Sequence, residues 1–84
     1  MLPYNYERGY FIMDGYVKIK ASEIPFYISL AQDGMKNHHE FGNVRNLNKT
    51  GYVYYAIYCM LVKAKDRDIY IDVDSFDLLE KENN

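Results

Sequence analysis

Residues 51–74 read Gly51-Tyr-Val-Tyr-Tyr-Ala-Ile-Tyr-Cys-Met-Leu-Val-Lys-Ala-Lys65, then Asp66-Arg67, then Asp68-Ile-Tyr-Ile-Asp-Val-Asp74. Whether the first half of this stretch is strand or helix decides the fold. It is rich in Tyr, Val and Ile, which suit a pleated, packed surface. The second half alternates Ile69, Ile71 and Val73 with Tyr70, Asp72 and Asp74, the period of two of a half-buried strand. Read together, the two halves form a hairpin turning at Asp66-Arg67. Lys65 then faces Asp68, Ala64 faces Ile69, Val62 faces Ile71 and Met60 faces Val73, with Lys63 opposite Tyr70. A slip of one residue would set Met60 against Asp72 and Val62 against Tyr70, so this register is the expected one. In it Met60, Val62, Ile69, Ile71 and Val73 are buried together, while Lys63, Lys65, Asp68 and Asp72 face solvent. The rival reading is a helix from Tyr52 to Lys65, with Val53, Ile57, Met60, Leu61 and Ala64 as its stripe.

Upstream, Tyr10-Phe-Ile-Met13 and Tyr16-Val-Lys-Ile-Lys20 flank Asp14-Gly15, a favoured two-residue hairpin turn. It pairs Met13 with Tyr16, Ile12 with Val17, Phe11 with Lys18 and Tyr10 with Ile19. Between Ser22 and Gly34 the residues Ile24, Tyr27, Ile28 and Ala31 fall on one helical stripe, with Pro25 suited to a first turn and Gly34 to a stop. At the other end, Ser75 to Glu82 forms a short helix capped by Asp74 or Ser75. The resulting class is α+β: a small antiparallel sheet of two hairpins in ββαββ order, one packed helix and a short C-terminal helix. The alternative is a small curled β-barrel with residues 26–31 as a fifth strand.

Eighty-four residues make one domain, 1–84, with a core just large enough to fold alone. The sequence shows no signal peptide and no apolar run long enough for a membrane span, so a cytoplasmic protein away from membranes is expected. Cys59, the only cysteine, leaves no internal disulfide and reads as a small buried hydrophobe. The net charge of −2 hides an asymmetry: residues 1–65 carry +3 and residues 66–84 carry −5. The chain is rich in tyrosine, with 10 Tyr and no Trp. Most of these rings are expected to fill the core, although dense Tyr also suits a protein interface.

Lys36 to Thr50 is polar and without sustained period, too long a loop to be merely a connection. Phe41, Val44 and Leu47 recur every third residue and would pin one helical turn to the core. His38-His39-Glu40 is the one cluster of enzyme-like residue types, but no His-x-x-x-His or Cys-x-x-Cys spacing supports a metal. The acids Asp66, Asp68, Asp72, Asp74 and Asp77 lack the glycine and bidentate glutamate of a calcium hand. They form an acidic surface that either guards a sheet edge or mimics a phosphate backbone.

The leading expectation is a small non-enzymatic protein that binds another protein, an accessory or inhibitor of the kind phage and mobile elements encode, needing no cofactor. Its partner-binding residues are expected in the loop: His38, His39, Glu40, Asn43, Arg45, Asn46 and Lys49, with the acidic surface as the other candidate interface. The alternative is a single-stranded nucleic-acid-binding module using the basic 36–49 loop and tyrosines. A weaker third is a small enzyme centred on His38, His39 and Glu40.

Overall fold

The computed structural model describes residues 12–13 and 15–83. The element order is β1 (Ile12–Met13), β2 (Tyr16–Ile19), a 3-10 turn (Ala21–Glu23), α1 (Ile24–Asn37), β3 (His39–Glu40), β4 (Asn43–Leu47), α2 (Lys49–Ala64), β5 (Ile69–Asp72) and α3 (Val73–Asn83). The class is α+β, with three helices and two small antiparallel sheets among the described residues and no closed barrel.

The central hairpin does not form. Residues 49–64 are a helix, so Met60 and Val62 are exposed instead of sharing a core with Ile71, and Lys63 faces no strand. Two local causes favour the helix over the β-prone composition. The Asn48 side chain accepts a hydrogen bond from the Gly51 N–H (2.8 Å), capping the first turn. Tyr54, Ile57, Leu61 and Ala64 then recur at helical spacing, and all four are buried against the rest of the core. The preference of Tyr and Val for strands is worth less than about 1 kcal/mol per residue, and burying that stripe outweighs it. Of the rival helical stripe, Ile57, Leu61 and Ala64 are buried while Val53 and Met60 are not.

Ile69–Asp72 is the strand its alternation predicts, but its partner is β2: Val17 pairs with Ile71 and Ile19 with Ile69, giving a sheet of order β1-β2-β5. The first hairpin has the expected register, Ile12 with Val17 and Met13 with Tyr16. Asp14 and the pairs through Phe11 and Tyr10 lie outside the described residues. Gly15 follows at φ +82°, the conformation a tight hairpin turn asks of it. Val17, Ile19 and Ile71 join the core with Ile24, Tyr27, Leu30 and Ala31 of α1, the α2 stripe, and Phe76 and Leu79 of α3. Tyr27 and Phe76 meet with ring centroids 5.6 Å apart.

The first helix runs on to Asn37, so Gly34 is not its stop. It lies in mid-helix because α2 crosses there: a β-carbon on Gly34 would overlap the ring of Tyr54. Gly51 plays the matching part on α2, where a β-carbon would overlap the carbonyl oxygen of His38. The last helix starts at Val73, two residues earlier than its expected core, and Asp72 is the acid that caps it, accepting from the Ser75 N–H at 3.1 Å. Asp68 joins the start of β5 to the end of β2. Its carboxylate accepts from the Ala21 N–H at 2.8 Å and pairs with Lys18 at 3.4 Å.

The polar stretch 36–50 is not a structureless loop. Its ends belong to α1 and α2, and its middle is the β3–β4 hairpin turning at Phe41-Gly42. Both turn residues have positive φ (57° and 63°), as a two-residue turn of the type I′ class demands. Phe41 therefore projects from the tip, 88 % exposed, and does not pin a helical turn to the core. Cys59 is likewise exposed, on the solvent side of α2.

Candidate functional site

The sequence-predicted residues divide into two groups with different surroundings. His38 sits at the end of α1, half-buried, its ring stacked on Tyr54 (centroids 5.5 Å apart, 15° between planes). Its Nε2 lies 2.9 Å from Oε1 of Glu82 in α3. The Tyr54 hydroxyl lies between the Leu78 carbonyl oxygen (2.9 Å) and the same Glu82 oxygen (3.1 Å), while the Asn37 amide donates to Glu82 Oε2 at 3.3 Å. One carboxylate thus ties together the ends of α1 and α3 and the middle of α2.

Burial of the Glu82 carboxyl would raise its pKa, but donors on His38, Asn37 and Tyr54 outweigh it and hold the group below the usual glutamate range. An ionised carboxylate only accepts, so His38 donates to it through Nε2–H. Burial, then the hydrogen bond and charge of Glu82, push Tyr54 well above the usual tyrosine range. With Nε2 and the phenol both committed inside the fold, the cluster braces three helices and offers no nucleophile poised for attack. His39 is half-buried, its Nδ1 enclosed without a hydrogen-bond partner. Among the described residues no group of three or more His, Cys, Asp or Glu side chains is placed to hold a metal ion.

The other predicted residues line the β3–β4 hairpin and the α2 entry. Glu40, Asn43, Arg45, Asn46 and Lys49 are all exposed, and the Asn43 side chain accepts from the Arg45 N–H at 2.9 Å. The acids come from three parts of the chain, the turn after α2, β5 with its entry, and α3, and all five are exposed. Asp68 and Asp72 make the structural bonds described above, with the Ala21 N–H first among the causes that hold the Asp68 pKa down. Asp66 projects from the turn after α2, and Asp74 and Asp77 from α3.

A run of exposed apolar side chains lies on none of these residues. The solvent side of α2 exposes Tyr52 (59 %), Val53, Tyr55, Met60 and Val62, with Ala56 and Cys59 between them. Lys49 and Lys63 are the helix's only charges. An open groove of ≈ 430 Å³ runs along one flank, lined by Tyr52, Val53, Ala56, Ile57, Met60, Asp72 and Ser75. A helix that is apolar all round is normally covered on both sides. The sequence did signal this face: a 16-residue helix with two charges has no polar side to give to solvent. The Tyr54–Glu82 contact spans 28 positions and follows no periodicity, so nothing local announces it.

No family model, no curated protein and no solved structure matches the chain. Among the described residues no helix is long and apolar enough to cross a membrane.

Proposed function

We propose that this chain is a small non-enzymatic protein-binding domain whose docking surface is the exposed face of α2. The observation that carries the reading is the exposure of five large apolar side chains on one helix, Tyr52, Val53, Tyr55, Met60 and Val62. Single apolar residues scattered over a surface are ordinary, whereas a contiguous patch of this kind marks interaction sites. The two tyrosines add contact area at small cost in side-chain entropy. The test compares three baits carrying Ala56→Glu, the pair His39→Ala and Arg45→Ala, or the pair Asp74→Asn and Asp77→Asn. Ala56→Glu is expected to lose a protein that wild type retains, with the circular dichroism of the chain unchanged because Ala56 is exposed on it. Loss of that protein with either of the other baits, and not with Ala56→Glu, moves the interface to the hairpin or to the acids.

A second reading, single-stranded nucleic acid, has its own observation: the fully projecting ring of Phe41, with exposed Arg45 on the same hairpin and Lys36 and Lys49 exposed nearby in sequence. Phe41→Asn is the informative variant, since Asn tolerates positive φ better than Phe and keeps the turn. Titration of labelled single strands at low and moderate salt decides. Salt-sensitive binding weakened about tenfold by Phe41→Asn supports the module, base stacking being worth roughly 1–3 kcal/mol. No binding at low salt ends it.

A further inference from the structure

We propose that the partner covering α2 is α2 of a second copy of this chain, packed antiparallel to form a two-fold dimer; this rests on the α2 face being a docking surface. The solvent side of the helix has the spacing of a packing seam. Tyr52, Ala56, Cys59 and Lys63 follow one another at intervals of four, three and four, all exposed. Val53 and Met60 flank this seam on one side, Tyr55 and Val62 on the other. A two-fold axis passing level with residues 57 and 58 makes the row complementary to itself. Ala56 then meets Cys59 of the second copy, two small side chains that let the helices approach closely. Tyr52 meets Lys63 of the second copy, ring against ammonium.

The flanks agree with this register. Antiparallel two-fold packing sets like flank against like, so Val53 lies beside Met60 of the second copy and Tyr55 beside Val62 of the second copy, apolar on apolar throughout. The groove beside Val53 and Met60 offers space for the incoming methionine. Beyond the seam, Lys49 falls level with Asp66 of the second copy, opposite in charge. A parallel pairing would instead stack Lys63 on Lys63 and Lys49 on Lys49, which selects the antiparallel arrangement. Five half-exposed side chains of these types expose about 400 Å² per copy. Doubled by the symmetry, and with Ala56, Cys59 and the lysine stems added, this reaches the roughly 1,000 Å² that separates specific interfaces from casual contacts.

The test uses the full chain under reducing conditions, with its mass measured by sedimentation equilibrium from micromolar to several hundred micromolar. Cys59, the sole cysteine, is challenged in parallel with a short bismaleimide. The expected result is a dimer cross-linked through Cys59. Ala56→Glu, which buries a carboxylate at the crossing point, should weaken association at least about a hundredfold and remove the cross-link, leaving the circular dichroism of the monomer unchanged. A monomeric mass throughout, without cross-linking, overturns the pairing, as does a dimer indifferent to Ala56→Glu. A monomer whose Cys59 resists maleimide also overturns it. The docking surface itself is judged separately: a monomer whose captured protein is lost with Ala56→Glu keeps that reading, and a monomer that captures the same proteins with or without the substitution ends both.

Discussion

Gly34→Ala lowers the melting temperature by about 10 °C, in spite of replacing the poorer helix former with the better one. In an exposed helix interior the exchange would stabilise by roughly 1 kcal/mol. Here the new methyl group is driven into the Tyr54 ring, which is fully buried and cannot swing aside while its hydroxyl is held by Leu78 and Glu82. Overpacking of this kind costs about 1–3 kcal/mol, and contact with an anchored ring falls at the upper end. The net loss of about 2 kcal/mol corresponds to about 8–16 °C in a domain of this size. Thermal unfolding followed by circular dichroism measures it. Combining Gly34→Ala with Tyr54→Leu should cost less than the sum of the two single changes, because the smaller side chain makes room. An unchanged or raised melting temperature for Gly34→Ala would show that the two helices are not in contact there.

Glu82→Ala is the second large effect, and its size depends on pH. The carboxylate, on α3, takes donors from the end of α1 and from α2, and removing it leaves His38 and Asn37 without their acceptor, at a cost of about 2 kcal/mol near neutrality. The folded-state pKa of Glu82 lies below its unfolded value. Its contribution is therefore complete above the usual glutamate range and is lost as pH falls through the folded value. Wild type and Glu82→Ala should differ at neutral pH and converge in acid. Asp68, also depressed, adds acid sensitivity of the same sign in both proteins. Tyr54 works at the opposite end. Its raised pKa contributes stability that is present below the usual tyrosine value, near 10, and lost as pH rises above it. Tyr54→Phe should flatten that alkaline decline. Denaturant melts across pH supply both comparisons, and parallel curves for wild type and Glu82→Ala from acid to neutral would remove Glu82 from its central place.

The same contacts alter what is expected of the hairpin residues. Replacing His38, His39 and Arg45 together with Ala would leave stability unchanged if all three served only a partner. Because His38 stacks on Tyr54 and reaches Glu82, that triple change should lower stability through His38, while Arg45, exposed at the surface, contributes little to it. Separate His38→Ala and Arg45→Ala variants distinguish bracing from binding.

Where the sequence was legible, the signal was local, although residues 26–31 of α1 also admitted a strand. The Ile12–Val17 and Met13–Tyr16 pairs follow from alternation across a turn at Gly15, and α1 follows from Ile24, Tyr27 and Ala31 on one stripe. The strand at Ile69–Asp72 likewise follows from its period of two, because such a segment can bury only one face. The β3–β4 hairpin was hidden by a turn, Phe41-Gly42, whose first residue is one that positive φ rarely admits.

The turn at Gly15, the inner face of β2 at Val17 and Ile19, that of β5 at Ile69 and Ile71, and Ile24, Tyr27 and Ala31 on the inner side of α1 all follow from the sequence; the β3–β4 hairpin does not. The Asn48 cap favours a helix at residues 49–64, but which of its faces is buried, and which strand lies beside β5, only the tertiary structure decided. A segment with apolar residues at nearly every position satisfies a period of 2 and a period of 3.6 equally well, so periodicity does not choose between them. The choice rests on what lies opposite: Gly34 opens a place on α1 for the Tyr54 ring, and β2 offers Val17 and Ile19 to β5, so a helix and a strand each bury their apolar side.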